Sequence, residues 1–317
     1  MKIIALLLFL FSIPTYAQIA GCTDPSSKNY NPLATINNGS CKYRSIKLKA
    51  LYSNLLPENL KESSGLLFYN SLLWTFNDNT DTALYAIDSI GNNKQKIKLE
   101  KVVNKDWEEI SQDSSFIYIG DFGNNVSGNR QDLHILRIKK NTLESTSPKI
   151  DTISFKYSNQ KDFTALKPNT TQFDCEAFIV MKDSIYLFTK QWKDSKTSVY
   201  ALPKTPGNYI AQFKETYRVK GLITGATYSP EQQTIALCGY SKTLQPFIYL
   251  LYNYNEGNFF SGNKRKIKLK LPFHQVEGIT TQDGLHYYLT NEKFIRKPFI
   301  DTPQKLHQFD LTSFLSQ

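Results

Sequence analysis

The sequence predicts an all-β protein and, within that class, a β-propeller. Two observations carry this. Past Lys42, Val, Ile, Phe, Tyr and Leu cluster in runs of four to eight residues, punctuated by Asn, Asp, Gly, Ser and Pro, and no long segment keeps a 3.6-residue apolar period. One local pattern also recurs: an oxygen-bearing residue, usually a small one, then a hydrophobic one, at the entry to a short apolar strand. It reads Ser64-Gly65-Leu66, Glu108-Glu109-Ile110, Glu176-Ala177-Phe178, Thr224-Gly225-Ala226 and Glu277-Gly278-Ile279. Recurrence at intervals of roughly 40 to 70 residues implies one supersecondary unit repeated around an axis, and radial repeats of four-stranded sheets are propellers.

The elements follow in order. Residues 1–17 read as a secretory signal: Lys2 is the charged start, Ile3 to Ile13 is apolar, and Thr15-Tyr16-Ala17 suits cleavage. That run is too short to span a bilayer, and no later segment approaches a transmembrane helix. Residues 18–43 form a separate small module, and residues 44–317 form the propeller. Blade one runs over 64–99, blade two over 107–157, blade three over 175–219 and blade four over 223–271. Blade five, 276–310, is one strand short, and the N-terminal strand at 45–51 completes it and closes the ring. The count is five blades, or six if the stretch between Leu136 and Asp174 holds another.

The first two strands of each blade form a hairpin, with turns near Asn70, Asp113, Lys182, Pro230 and Asp283. Antiparallel return brings Asn77-Asp78 beside Ser64, Asp121 beside Glu108, Lys190 beside Glu176 and Asn291-Glu292 beside Glu277. Two polar rings then share one channel mouth. This placement depends on register, since a one-residue slip swaps the faces.

Three carboxylates near one axis raise each other's pKa or recruit a cation. Calcium takes six to eight oxygens from carboxylates, hydroxyls, carbonyls and water, so Ser64, Glu108, Glu176, Thr224 and Glu277 are the candidate metal ligands. The competing reading is that they cap the inner strands through neighbouring backbone N–H groups. A bound ion would either clamp the blades or catalyse. The four histidines show no ligand spacing with cysteine. Asp78, Asp121, Asn124, Arg130, Lys190, Trp192 and Glu292 line the same mouth as candidate ligand-binding residues, with Trp192 suited to stacking on a sugar or base. Trp74 and Trp107 are expected to pack in the core. No nucleophile elbow, Walker loop or dinucleotide fingerprint is present. The net charge of +10 is scattered lysine rather than a dense basic block, and with export it speaks against a nucleic-acid partner.

Glu62-Ser63-Ser64-Gly65-Leu66, Asp106-Trp107-Glu108-Glu109-Ile110, Asp174-Cys175-Glu176-Ala177-Phe178 and Val276-Glu277-Gly278-Ile279 resemble the inner-strand motifs of an uncharacterised group of secreted bacterial propellers. More distantly, they resemble the calcium-activated nucleotidases (apyrases). That resemblance implies a five-bladed propeller with central calcium on Ser64, Glu108, Glu176, Thr224 and Glu277. The sequence departs from apyrases where Asn79 follows Asn77-Asp78 in place of a basic residue. It departs again where Thr189-Lys190-Gln191-Trp192 stands at their arginine pair.

At the N-terminus, Gly21-Cys22-Thr23-Asp24-Pro25, Asn29-Tyr30-Asn31-Pro32 and Asn38-Gly39-Ser40-Cys41 resemble a cysteine-bracketed module of secreted bacterial proteins. The resemblance implies a Cys22–Cys41 disulfide, the staple such a small unit needs. Ile19-Ala20-Gly21-Cys22 is also similar to a bacterial lipobox, which would instead lipidate Cys22 and anchor the protein. Cys175 and Cys238 lie in apolar runs and are expected as buried thiols.

The expectation is an exported, monomeric, calcium-stabilised propeller, secreted or at a bacterial cell envelope, acting as a binding or scaffold module for a small anionic or carbohydrate ligand. The alternative is a calcium-dependent hydrolase of phosphate esters or a related anionic substrate, with Asp78 or Asp121 positioning or deprotonating water.

Overall fold

A computed structural model describes residues 18–145 and 147–315. The signal-like segment 1–17 lies outside the described residues. Two short parallel strands, β1 (Ala20–Gly21) and β2 (Ile36–Asn37), belong to the N-terminal module. β3 (Lys47–Leu48) and β4 (Tyr52–Leu55) lead into the first sheet, β5 (Ser63–Tyr69), β6 (Leu72–Asn77), β7 (Ala83–Ile87) and β8 (Asn93–Lys98). The second comprises β9 (Trp107–Gln112), β10 (Phe116–Asp121), β11 (His134–Lys139) and β12 (Ile150–Tyr157). The third comprises β13 (Cys175–Met181), β14 (Ser184–Thr189), β15 (Thr197–Pro203) and β16 (Gly207–Tyr217). The fourth comprises β17 (Leu222–Ser229), β18 (Thr234–Tyr240), β19 (Pro246–Tyr252) and β20 (Asn263–Leu269). The last contains β21 (Val276–Thr281) and β22 (His286–Asn291), a side hairpin of β23 (Phe294–Arg296) and β24 (Ile300–Thr302), and then β25 (Lys305–Asp310). A short helix, α1 (Thr312–Leu315), ends the described chain.

These pairings make five antiparallel four-stranded sheets, the last in the order β21-β22-β25-β4. The first strand of each sheet touches the first strand of the next: β5 on β9, β9 on β13, β13 on β17, β17 on β21, and β21 back on β5. That closed cycle is the propeller. Outer β12 and β16 pair in parallel and fuse the second and third sheets at the rim.

Closure comes from a different segment than expected. Residues 45–51 do not complete the last sheet. Tyr52–Leu55 does, pairing with β25 from Tyr52 opposite Gln308 to Leu55 opposite Lys305. The expected segment instead sends Lys47–Leu48 along the outer edge of β20, in parallel. Its side-chain alternation explains this. Ile46, Leu48 and Ala50 pack against the apolar layer between the fourth and fifth sheets, which holds that stretch on the rim.

The inner strands of each sheet are buried on both faces and read as near-continuous apolar runs, while outer β8, β12 and β16 are largely exposed or alternate. One apolar cluster fills each junction. Trp74 and Phe76 meet Trp107 between the first and second sheets, with Phe76 and Trp107 edge-on at 5.4 Å. Phe122 meets Phe178 between the second and third, and Phe188 joins Phe247 between the third and fourth. Cys238 and Ile248 face Tyr287 and Phe309 between the fourth and fifth. Tyr85 and Leu66 meet Leu306 where the ring closes. Cys175 and Cys238 are buried free thiols.

The N-terminal module carries the Cys22–Cys41 disulfide. It is seated on the fourth sheet. Asp24 accepts hydrogen bonds from Tyr43 and Tyr252, each at 2.7 Å, and Asn37 donates to Asn263 at 3.0 Å. Gly39 has φ +70, and a Cβ there would fall 2.2 Å from the Ser261 carbonyl. Glycine is therefore required both for its backbone angle and for the close approach.

Candidate functional site

All five inner strands break register as they enter the channel. Glu108, Glu176, Thr224 and Glu277 are each the extra residue at such a break, left out of the ladder between paired neighbours. In the first sheet the break follows Ser64 and takes in Gly65 and Leu66. A bulge residue leaves the ladder and has its side chain re-aimed, so the recurring pattern is the sequence trace of a repeated bulge. The expected partners therefore shift by one position. Trp107, not Glu108, stands opposite Asp121, Cys175 stands opposite Thr189, and Val276 opposite Asn291.

Three of the small residues at these breaks, Gly65, Gly225 and Gly278, have a steric cause. A Cβ on Gly65 would fall 2.9 Å from the Ile110 nitrogen, and one on Gly225 would fall 2.4 Å from the Glu277 carbonyl. At Gly278 it would fall 2.7 Å from the Leu66 Cβ. Glu109 departs from this pattern and turns its side chain into the channel. Its fully buried carboxylate accepts from the Ile110 N–H at 2.9 Å and, across the channel, from the Ala226 N–H at 2.6 Å, with Leu66 N–H as a third donor. It plugs the axis between blades one, two and four.

Above this plug lies an acidic mouth. Ser64 donates its hydroxyl to the Glu108 carbonyl at 2.8 Å, and Thr224 donates to the Val276 carbonyl at 2.5 Å. Both hydroxyls thus bridge to the next blade. Glu108, Glu176 and Glu277 are joined electrostatically by Asp78, Asp106, Asp174 and Glu292. Burial and mutual repulsion push these carboxyls up, Asp78 to about 6 and Asp106 to about 7. The Lys190 ammonium sits among them, 2.8 Å from Glu176 Oε2 and over the rings of Trp192 at 4.6 Å and Tyr240 at 5.5 Å. Burial opposes its charge, but Glu176 and then Tyr240, Glu277 and Asp174 hold its pKa well above the usual lysine value. Glu176 Oε1 is buried without a hydrogen-bond partner.

The other candidates divide. Asp78, Lys190, Trp192 and Glu292 are in this mouth, and Trp192 donates to Asp174 at 2.9 Å. Asp121, fully buried, is engaged by Arg130 and by the Lys105 N–H at 3.1 Å. Arg130 also donates to the Gly123 carbonyl at 3.0 Å and to Asp132 at 3.1 Å. The Asn124 N–H donates to Asp174 at 2.8 Å, and its side-chain oxygen accepts from the Arg130 N–H at 3.0 Å. These three residues brace the loop at the mouth's rim. Gly123 belongs to that loop, and a Cβ there would fall 2.2 Å from both Asp106 and Glu108 carboxylate oxygens.

Asp106, Asp174 and Glu109 are functional candidates that the repeat reading did not single out. The first two were legible: an acidic residue stands two positions before the bulge residue in Glu62-Ser63-Ser64, Asp106-Trp107-Glu108 and Asp174-Cys175-Glu176.

No family model and no curated protein matches the chain, so neither the apyrase resemblance nor the secreted bacterial group gains sequence support. Among solved structures, the chain is similar to an exo-1,5-α-L-arabinanase from a bovine ruminal metagenomic library. The identity is 13% and the TM-score 0.45, over 78% of this chain and 93% of that one. It is similar to a putative oxidoreductase (glucose dehydrogenase) of Thermus thermophilus, at 6% identity and TM-score 0.45, over 81% and 99%. It is also similar to the hydrazine synthase of Kuenenia stuttgartiensis, at 8% identity and TM-score 0.38, over 78% of this chain and 59% of that chain. The chain thus spans less than two thirds of that enzyme chain's length. Likenesses this remote assign no activity. Among the described residues, no helix is long and apolar enough to cross a membrane.

Proposed function

We propose that this protein is an exported binding module whose acidic mouth takes a calcium ion. Glu108, Glu176 and Glu277 would supply the carboxylates, with Ser64 and Thr224 at the remaining ring positions. One observation carries the reading. Seven carboxyls (Asp78, Asp106, Glu108, Asp174, Glu176, Glu277 and Glu292) are electrostatically coupled around one ammonium, Lys190, and Glu176 Oε1 accepts from no N–H or hydroxyl, although among the described residues no three acidic side chains are already drawn together as a metal would hold them. Like charges in a poorly solvated site call for a cation or for protons. The donor set is oxygen throughout, as calcium requires, and the Ser64 and Thr224 hydroxyls keep lone pairs free while donating to carbonyls. Asp78, Glu292, Lys190 and Trp192 would then meet a small anionic or carbohydrate ligand, with Asp121, Asn124 and Arg130 holding the rim. The disulfide suits an oxidising compartment outside the cytoplasm.

The test is metal content by elemental analysis, paired with melting in calcium and in EGTA. At free calcium about 100 times its Kd, the bound ion adds about 2.7 kcal/mol of stability. Protein that carries no calcium and melts identically in both buffers removes the reading. Calcium-dependent phosphate release from a phosphoester panel, lost in Asp78→Ala with the fold intact, would replace the binding role by hydrolysis.

A further inference from the structure

The opposite end of the channel holds a second cavity of about 570 Å³. Its wall is built from the exit ends of all five inner strands, and its floor is Leu66, Ile110 and Ala226. Those are the residues whose N–H groups bind the Glu109 carboxylate, so the plug separates this cavity from the acidic mouth. The size falls within the range of small-molecule sites.

The chemistry of the wall differs from that of the mouth. Its charged side chains are already engaged, including the exposed Glu231, which has no ion-pair partner among the described residues but accepts from the Ser229 hydroxyl at 3.2 Å. Lys182 pairs with Glu256 at 2.6 Å, Asp113 with Lys204 at 2.9 Å, and Lys140 donates to the Asp113 carbonyl at 2.6 Å. What stays unspent is neutral. The hydroxyls of Ser111 and Thr227 have no hydrogen-bond partner among the described residues. Gln112 is spent on the wall itself: it donates through Nε2 to the Phe68 carbonyl at 2.8 Å, and its unpaired Oε1 is buried away from the cavity. Phe68 and Tyr228 are half-buried rings on the same wall. Neutral donors and acceptors beside aromatic faces match a polyhydroxylated ring, whose hydroxyls bond in both senses while its C–H face packs on an aromatic.

We propose that this cavity is a second binding site, distinct from the acidic mouth, for a neutral sugar. The site needs no metal. The experiment is saturation-transfer NMR on the folded protein with glucose, galactose, mannose, xylose, arabinose, maltose and cellobiose as probes, each in calcium and in EGTA. At least one sugar gives saturation transfer in both buffers. Its affinity falls at least fivefold in the Ser111→Ala/Thr227→Val double variant, whose melting temperature stays within a few degrees of the parent. Thr227→Trp, which fills the cavity, abolishes the signal. Three results overturn the proposal: no transfer from any sugar, transfer unchanged in the double variant, or transfer lost on chelation while the near-ultraviolet spectrum stays native.

Discussion

Lys190 is the residue on which the acidic mouth turns. Its ammonium and the Glu176 carboxylate are both almost wholly buried, 2.8 Å apart. Removing one partner of such a pair strands the other charge, at a cost of about 3–5 kcal/mol. Lys190→Met is therefore expected to lose about that much stability in EGTA by urea unfolding. Calcium should restore most of it, because an ion bound by Glu108, Glu176 and Glu277 replaces the missing positive charge. A loss below about 1 kcal/mol, or one that calcium leaves untouched, would separate Lys190 from the proposed metal site. Much of this mouth was legible residue by residue, since Glu108, Glu176 and Glu277 recur at equivalent strand entries and Lys190 follows from the hairpin return. Glu109 was not. It is written where the pattern has a small residue, and only the packed ring reveals that its carboxylate turns inward to the Ile110 and Ala226 N–H groups. Arg130 was legible as a cation but not as one already committed to Asp121 and the Gly123 carbonyl.

At the scale of the element, the join between β4 and β25 depends on a buried histidine. His307 on β25 is fully buried; Ser53 on β4 donates to its Nδ1 at 2.7 Å, and its Nε2–H donates to Asn291 on β22 at 2.8 Å. The Asn291 amide nitrogen donates to the Glu292 and Pro303 carbonyls, which leaves its oxygen to accept and fixes the histidine tautomer. Burial first, then nearby His274 and Lys305, lower the His307 pKa to about 3. The unfolded chain binds a proton near pH 6.5. The stability that the neutral ring contributes is therefore complete above about 6.5 and is lost as pH falls from there toward 3, at a slope of about 1.4 kcal/mol per unit. The buried carboxyls of the mouth titrate too, so the comparison must be with His307→Gln at each pH. The parent should lose stability more steeply than the variant between pH 6.5 and 4 in urea unfolding. Equal slopes would show that His307 is not the group responsible. The closing strand itself was misplaced in the sequence by its own regularity. Residues 45–51 alternate as cleanly as a sheet strand because Ile46, Leu48 and Ala50 do face apolar packing, only on the rim of another sheet.

For the whole molecule, the ring is tied at one place. Blade order follows from five repeated strand entries, so the sequence displays it; the closing contact joins residues about 250 positions apart and leaves no periodic trace. Two further segments hang on the fourth sheet: the disulfide-bonded module and the rim stretch around Lys47–Leu48. A chain beginning at Tyr43 loses the module and its Asp24 and Asn37 contacts but keeps β4. One beginning at Pro57 also loses the Lys47–Leu48 rim strand with the packing of Ile46, Leu48 and Ala50 and, at the closure, the four paired residues of β4, the buried Leu56 and the Ser53–His307 bond. Net backbone hydrogen bonds of about 1 kcal/mol each and an apolar side chain of about 2 kcal/mol put the closing strand's share alone at about 5 kcal/mol, to which the rim strand adds. For a domain of this size it corresponds to a drop on the order of 10–20 °C. It also bares β25 as an unpaired edge, which invites association between chains. The Pro57 chain should thus melt well below the Tyr43 chain and aggregate on heating, while the Tyr43 chain stays monomeric and melts cooperatively. Equal melting temperatures would mean that the inner-strand ring, with Glu109 at its centre, holds the propeller shut without its closing strand.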